Sequence, residues 1–164
     1  MNPAHERPDP LRPHTHEPNP DPPSVDPSFI LVGPTGDETV IAVDDLELLP
    51  RTSVSGCYIV STGHGTSGPY RFSGVSLLDF VQSRLDAGMP WSQVEVISVD
   101  GFGNRIMATE LHSPRPVDRP VILSYARDGQ KLTRRQGLVR LIVPSEKDDA
   151  LRQVKWIGRI VIRE

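Results

Sequence analysis

Gly137-Leu138-Val139-Arg140-Leu141-Ile142-Val143-Pro144 sets a single charge among five apolar residues and bounds the run with a glycine and a proline. Three of the five are β-branched, and six residues between such punctuators suit a strand better than a helix. Val154 to Ile162 repeats the pattern, with Lys155 placed between Val154 and Trp156. Toward the N-terminus, Phe29 to Val32, Thr39 to Val43, Ser53 to Val60, Gln93 to Val99, Arg105 to Ala108 and Val121 to Ala126 are further short runs, many of them rich in Val and Ile. Turn residues separate them at Gly33-Pro34-Thr35-Gly36-Asp37, Asp100-Gly101-Phe102-Gly103-Asn104 and Arg127-Asp128-Gly129-Gln130. One helix is predicted after Gly74, with Ser76 as N-cap, Asp79 three residues on, and Leu77, Leu78, Val81 and Leu85 on one face before Gly88. Asp44 is expected to cap a brief turn over Leu46, Leu48 and Leu49 ended by Pro50, and Ala108 to Leu111 a second turn ended by Pro114. The predicted class is α+β, mostly β, with few short helices and one core.

Composition narrows the function classes. The chain has 164 residues, a net charge of -3, 37% hydrophobic and 24% charged residues, and one cysteine. A lone cysteine excludes an internal disulfide framework and any multi-cysteine metal site. Nine of the 17 prolines and only four apolar residues fall in residues 1–27, which predicts a disordered, Pro-rich tail ahead of a single domain at 28–164. The tail holds five of the 21 acids and two of the 18 bases, leaving 16 of each in the domain. A neutral domain lacks the basic excess that neutralises phosphates, so nucleic acid is not the expected partner. No apolar run is long enough to span a membrane and the tail has no secretory apolar stretch, so a cytoplasmic location is expected. His14 and His16 in the tail form an H-x-H pair without an ordered third ligand, which reads as solvated polar chain.

The order of motifs resembles the oxidoreductase molybdopterin-binding domain family, the fold of sulfite oxidase and of the protein-methionine-sulfoxide reductase catalytic subunit. The resemblance rests on Asp44-Asp45-Leu46-Glu47-Leu48-Leu49-Pro50, on Phe72-Ser73-Gly74-Val75-Ser76-Leu77-Leu78-Asp79-Phe80, on Ser98-Val99-Asp100-Gly101-Phe102, and on the 137–144 and 154–157 segments. It implies a sulfite-oxidase-type fold, a molybdopterin cofactor and, in catalytic members, a cysteine thiolate on molybdenum about a dozen residues before the glycine that matches Gly74. Counting back lands near Ser61 and Thr62, whereas Cys57 stands 17 residues before Gly74. Leu138 replaces the family's usual proline, and the N-terminal His-Asn segment of catalytic members has no counterpart. A degenerate or absent molybdenum site is therefore expected, with Cys57 as the one possible thiolate.

Beside that resemblance, the stretch from Ser61 to Gly68 reads as a loop whose Thr62, Gly63 and His64 offer hydroxyl, backbone and imidazole groups to an anion, or equally as a flexible hairpin. Arg140 and Lys155 each interrupt an apolar run. The resemblance implies that they hold the pterin, while strand alternation puts them on a solvent face. Asp100 is either near the ligand, as the resemblance implies, or simply turn chemistry. Two functions stay open: a molybdopterin-dependent oxidoreductase, or a non-catalytic module for a small anion or a protein partner, with the Pro-rich tail available for recruitment. The state of Cys57 separates them, since a metal-ligating thiol needs a cleft and a packing thiol does not.

Overall fold

A computed structural model describes residues 26–61, 65–114, 119–144 and 153–164, with two five-stranded sheets. The first joins β1 (Phe29–Val32), β2 (Glu38–Ile41), β5 (Gln93–Ser98), β6 (Gly103–Met107) and β10 (Ile157–Arg163) in the order β2-β1-β10-β5-β6. Among the described residues, β1 and β10 are the one parallel pair, which ties the start of the domain to its end. The second joins β3 (Thr52–Ser61), β4 (Gly65–Ser76), β7 (Ile122–Arg127) and β8 (Gln130–Lys131) in that order, with β9 (Arg140–Ile142) also paired to β7. The short helices are α1 (Val43–Glu47), α2 (Leu77–Ser83) and α3 (Ala108–His112). None of the described helices is long and apolar enough to cross a membrane. The mostly β fold class expected from the sequence is what the chain adopts.

The main core lies between the sheets, where Phe29, Leu31, Val94, Val96, Ile160 and Ile162 meet Val75, Leu123, Tyr125 and Leu141, with Leu46, Phe80 and Leu111 from the helices. Side chains alternate across a strand, so the neighbours of these residues in the second sheet point the other way. There Val54, Phe72, Ile122, Leu132 and Ile142 build a smaller second core together with Cys57. Covering both faces explains why 121–126 and 138–143 are apolar at successive positions, interrupted by Ser124 and Arg140, instead of alternating.

Several local expectations are corrected. Residue Ala42, not Asp44, precedes α1, and its N–H donates to Asp45 Oδ2 at 2.8 Å. The run from Thr39 stops at Ile41, and Ala108 belongs to α3. Helix α2 ends at Ser83, five residues short of Gly88. The long loop at 61–68 is not a loop: Gly65 to Gly68 are part of β4, and Ser61 pairs with Gly65. Cross-strand pairing with β3 overrides the Gly and Ser content there. Only Thr62, Gly63 and His64 remain between the strands, and they lie outside the described residues, as do 1–25. The 154–162 run is split, with Val154 bridged to Leu141 and Trp156 at φ 53 before β10 begins.

At Ser76 the sequence reading and the structure agree, because its side chain accepts from the Asp79 N–H at 3.2 Å. Ser76→Ala removes that acceptor from the first turn of α2, and chemical denaturation should show a loss of about 1 kcal/mol.

Candidate functional site

Strand β9 pairs with β7 so that Arg140 stands opposite Ser124 and Ile142 opposite Ile122. Leu141 and Val154 point into the main core, so Arg140, Ile142, Gln153 and Lys155 flank them on the opposite face of the second sheet. That face is the covered one, and Arg140 is only 6% exposed. Its solvent-face reading is thereby excluded. The guanidinium lies over the Phe72 ring at 5.7 Å and donates from Nη1 to the Gln136 carbonyl at 3.1 Å. Its Nε is buried without a hydrogen-bond partner, and among the described residues no carboxylate lies within ion-pair distance of it. Burial, followed by repulsion from Arg127, pushes its pKa down to about 10.

Lys155 lies close by, half-buried, with its ammonium 4.4 Å from the Trp156 ring. Burial first and then the Arg140 charge hold it below the ordinary lysine range, and Asp100 pulls the other way. A Cβ on Gly137 would meet Lys155 Cβ at 2.5 Å, so a glycine is what lets this segment approach. Asp100 caps its own turn by accepting from the Phe102 N–H at 3.2 Å, and the Val99 N–H reaches the Trp156 carbonyl at 2.8 Å. The structure therefore brings Arg140, Lys155 and Asp100 into one electrostatic neighbourhood. Arg127 joins it from the end of β7, stacked on the Tyr70 ring at 4.1 Å.

Cys57 sits opposite Tyr70, between two irregularities of the β3–β4 ladder. One extra residue on β3 falls between Val54 and Cys57, and one on β4 between Ser67 and Tyr70. Such bulges re-aim side chains and leave backbone groups unpaired. Arg119 fills the first: it donates to the Ser55 carbonyl at 2.5 Å and to the Gly56 carbonyl at 3.5 Å, and lies 3.7 Å from Cys57 Sγ. The thiol is 4% exposed and packs in the second core, near the Val54 carbonyl at 3.6 Å. Burial raises its pKa, against the pull of Arg119. Arg119→Ala leaves the two bulge carbonyls without their charged donor, and a loss of about 1 kcal/mol in urea denaturation is expected at this partly exposed position.

Gln153 completes the face, 7% exposed, with Nε2 donating to the Tyr58 carbonyl at 3.5 Å and Oε1 unpartnered. Sequence reasoning named Arg140, Lys155, Asp100 and Cys57 but missed Arg119, Arg127 and Gln153. Arg127 read as part of a turn, and nothing in sequence distinguishes a buried glutamine from a solvated one. No group of three His, Cys, Asp or Glu side chains forms a metal cage among the described residues.

Residues 31–164 match the oxidoreductase molybdopterin-binding domain family. A search of curated proteins finds no match. Among solved structures, the sulfane dehydrogenase SoxCD from Paracoccus pantotrophus superposes with a TM-score of 0.59 at 18% identity, over 83% of this chain and 38% of that one. The likeness at that identity is one of fold, and this chain spans well under half the length of that relative.

Proposed function

The chain belongs to the oxidoreductase molybdopterin-binding domain family, and from that premise we propose that the second-core face of its second sheet holds a molybdopterin-type ligand. The observation that carries this reading is Arg140, a buried guanidinium with no carboxylate within ion-pair distance among the described residues and an unpartnered Nε. A buried charge is ordinarily paired, and the partner that suits this one is an anion that arrives with a ligand. The donor set fits a phosphate-bearing pterin: Arg140 supplies a planar fork, Lys155 and Arg127 supply further positive charge, and Gln153 supplies an acceptor. When bound, a molybdenum-bearing pterin supplies oxygen-atom transfer.

Within this reading the protein's own residues bind and orient. Lys155, kept close to Arg140 by the Gly137 approach, raises the local positive potential where a phosphate binds. Tyr70 and Phe72, edge to face at 5.9 Å, back the two guanidinium groups with apolar surface and exclude water. Cys57 supports the binding role over the catalytic one, because a thiol 4% exposed and shifted toward its protonated form is a packing group. The metal-ligating reading is favoured by one observation, the pair of bulges and the Arg119 guanidinium that hold Cys57 in a special backbone position. A small anion alone is the corresponding occupant if the pterin is absent, and the tail at 1–27 is the segment offered to a protein partner.

The test is cofactor content. The full chain, expressed in a host that makes molybdopterin and is supplied with molybdate, is assayed for molybdenum by elemental mass spectrometry and for pterin by fluorescence after acid release. Pterin is expected in the wild type and in Cys57→Ser, and absent from Arg140→Met. Loss of metal in Cys57→Ser would establish the ligating role instead, and pterin retained by Arg140→Met would end this assignment of the site.

A further inference from the structure

Two buried side-chain atoms among the described residues have no hydrogen-bond partner, Arg140 Nε and Gln153 Oε1. One is a donor and the other an acceptor, on side chains 6% and 7% exposed. Leu141 and Val154 exchange hydrogen bonds of 2.7 and 3.3 Å, an antiparallel pair that sets 140 across from 155 and 142 across from 153. Arg140 and Gln153 are then diagonal neighbours on one face, a spacing of about 7–8 Å that long side chains span. The bond from Gln153 Nε2 to the Tyr58 carbonyl fixes which amide atom is free.

We propose that Arg140 and Gln153 together read the hydrogen-bonding edge of a heterocycle, with Gln153 as the residue that selects such an edge over a bare oxyanion. The inference rests on the reading of this face as a ligand site and adds a specificity-determining residue to it. A sulfate dianion satisfies Arg140 but has no proton for Gln153, and it would press its own lone pairs against a buried carbonyl. A 2-amino-4-oxopyrimidine edge has both parts, a ring nitrogen or carbonyl for the free Arg140 Nε and an N–H for Gln153, while the anionic group of the same ligand supplies the charge that the guanidinium lacks. Pterins and guanine nucleotides share that edge, and Lys155 and Arg127 suit the phosphate that either carries.

The experiment compares Gln153→Leu, Gln153→Glu and Arg140→Met with the wild type in two assays. Heterocycle retained by protein from a cofactor-producing host is released by acid and identified by mass spectrometry, which tells a pterin from a guanine nucleotide. Sulfate binding to protein from a host lacking the cofactor is followed by thermal shift. Gln153→Leu is expected to lower retained heterocycle by about tenfold or more while leaving the sulfate response unchanged. Gln153→Glu is expected to lose both, because its carboxylate pairs with Arg140 and occupies the site. If Gln153→Leu does not fold, Gln153→Met, which keeps the volume, replaces it. Wild-type retention in the folded leucine or methionine variant, an equal loss of heterocycle and sulfate in it, or oxyanion as the sole occupant of the wild type overturns the proposal. Retention by Arg140→Met overturns instead the ligand site on which it rests, so the two failures are distinct.

Discussion

Gly74→Ala is expected to destabilise the chain by about 4 kcal/mol or more, enough to leave little folded protein at 37 °C. A Cβ built on Gly74 would lie 1.8 Å from the Leu123 carbonyl oxygen and 2.8 Å from Ser124 Cα. Both are backbone atoms of β7, so no side chain can turn aside to relieve the clash. The β4–β7 ladder shifts register between Ser73 and Gly74, and Ser124 spans the irregularity by donating from Oγ to the carbonyls of Ser73 and Ala126 at 3.0 and 2.9 Å. Moving the strands apart would break those bonds and part Val75 and Leu123, both fully buried in the main core. Gly88 provides the comparison, since its φ of 81 gives backbone strain while nothing lies within 4 Å of an added Cβ. Gly88→Ala should cost about 1 kcal/mol. Urea denaturation followed by circular dichroism measures both, and a Gly74→Ala loss no larger than that of Gly88→Ala would show that the ladder yields far more readily than its geometry indicates.

Gly74 also shows what a sequence conveys and what it withholds. The residue was legible as the centre of a motif, yet its reason, a carbonyl about 50 positions later, exists only once β4 and β7 pair. The apolar runs at 121–126 and 138–143 were legible as strands, but that both of their faces are buried is known only from the second core that the structure supplies. That second core assembles from β3, β4, β7 and β9, so the burial of Arg140 could not be read locally and the solvent-face reading stayed open. Gly65 to Gly68 misled in the other direction, because small polar residues that look like a loop are held as a strand by their partners in β3. Asp45, one position beyond the residue expected to cap α1, bonds the Ala42 N–H by reaching back from inside the first turn. Gln153 carried no signal at all, since its meaning is an unpartnered atom, and partners are a property of the fold.

Arg140→Met is expected to move stability and ligand binding in opposite directions. In the folded chain, burial and then Arg127 bring the guanidinium pKa down to about 10, below its unfolded value. The unfolded chain therefore binds that proton more firmly, and the group's contribution to stability rises with pH only between about 10 and the ordinary guanidinium range. At neutral pH the full penalty of burying the charge is present, of order 3 kcal/mol. Methionine removes that penalty and fills similar volume, but it gives up the bond to the Gln136 carbonyl and the stacking on Phe72, together worth about 1–2 kcal/mol. A net gain of about 1–2 kcal/mol in the ligand-free protein should remain, as when buried ions are replaced by apolar residues of similar size. Thermal unfolding would report it as a rise of about 3 °C or more in Tm. The same variant should show no stabilisation by sulfate, because the increment RT ln(1 + [L]/Kd) vanishes when the anion has no site. Arg140→Lys keeps a charge without the planar fork, so it should retain part of the anion response and none of the gain in Tm. A residue placed for the fold would give the reverse pattern, with the methionine variant less stable and the anion response intact. That pattern would move the site off this face, whereas gain with loss identifies a charge that the fold tolerates because a ligand completes it.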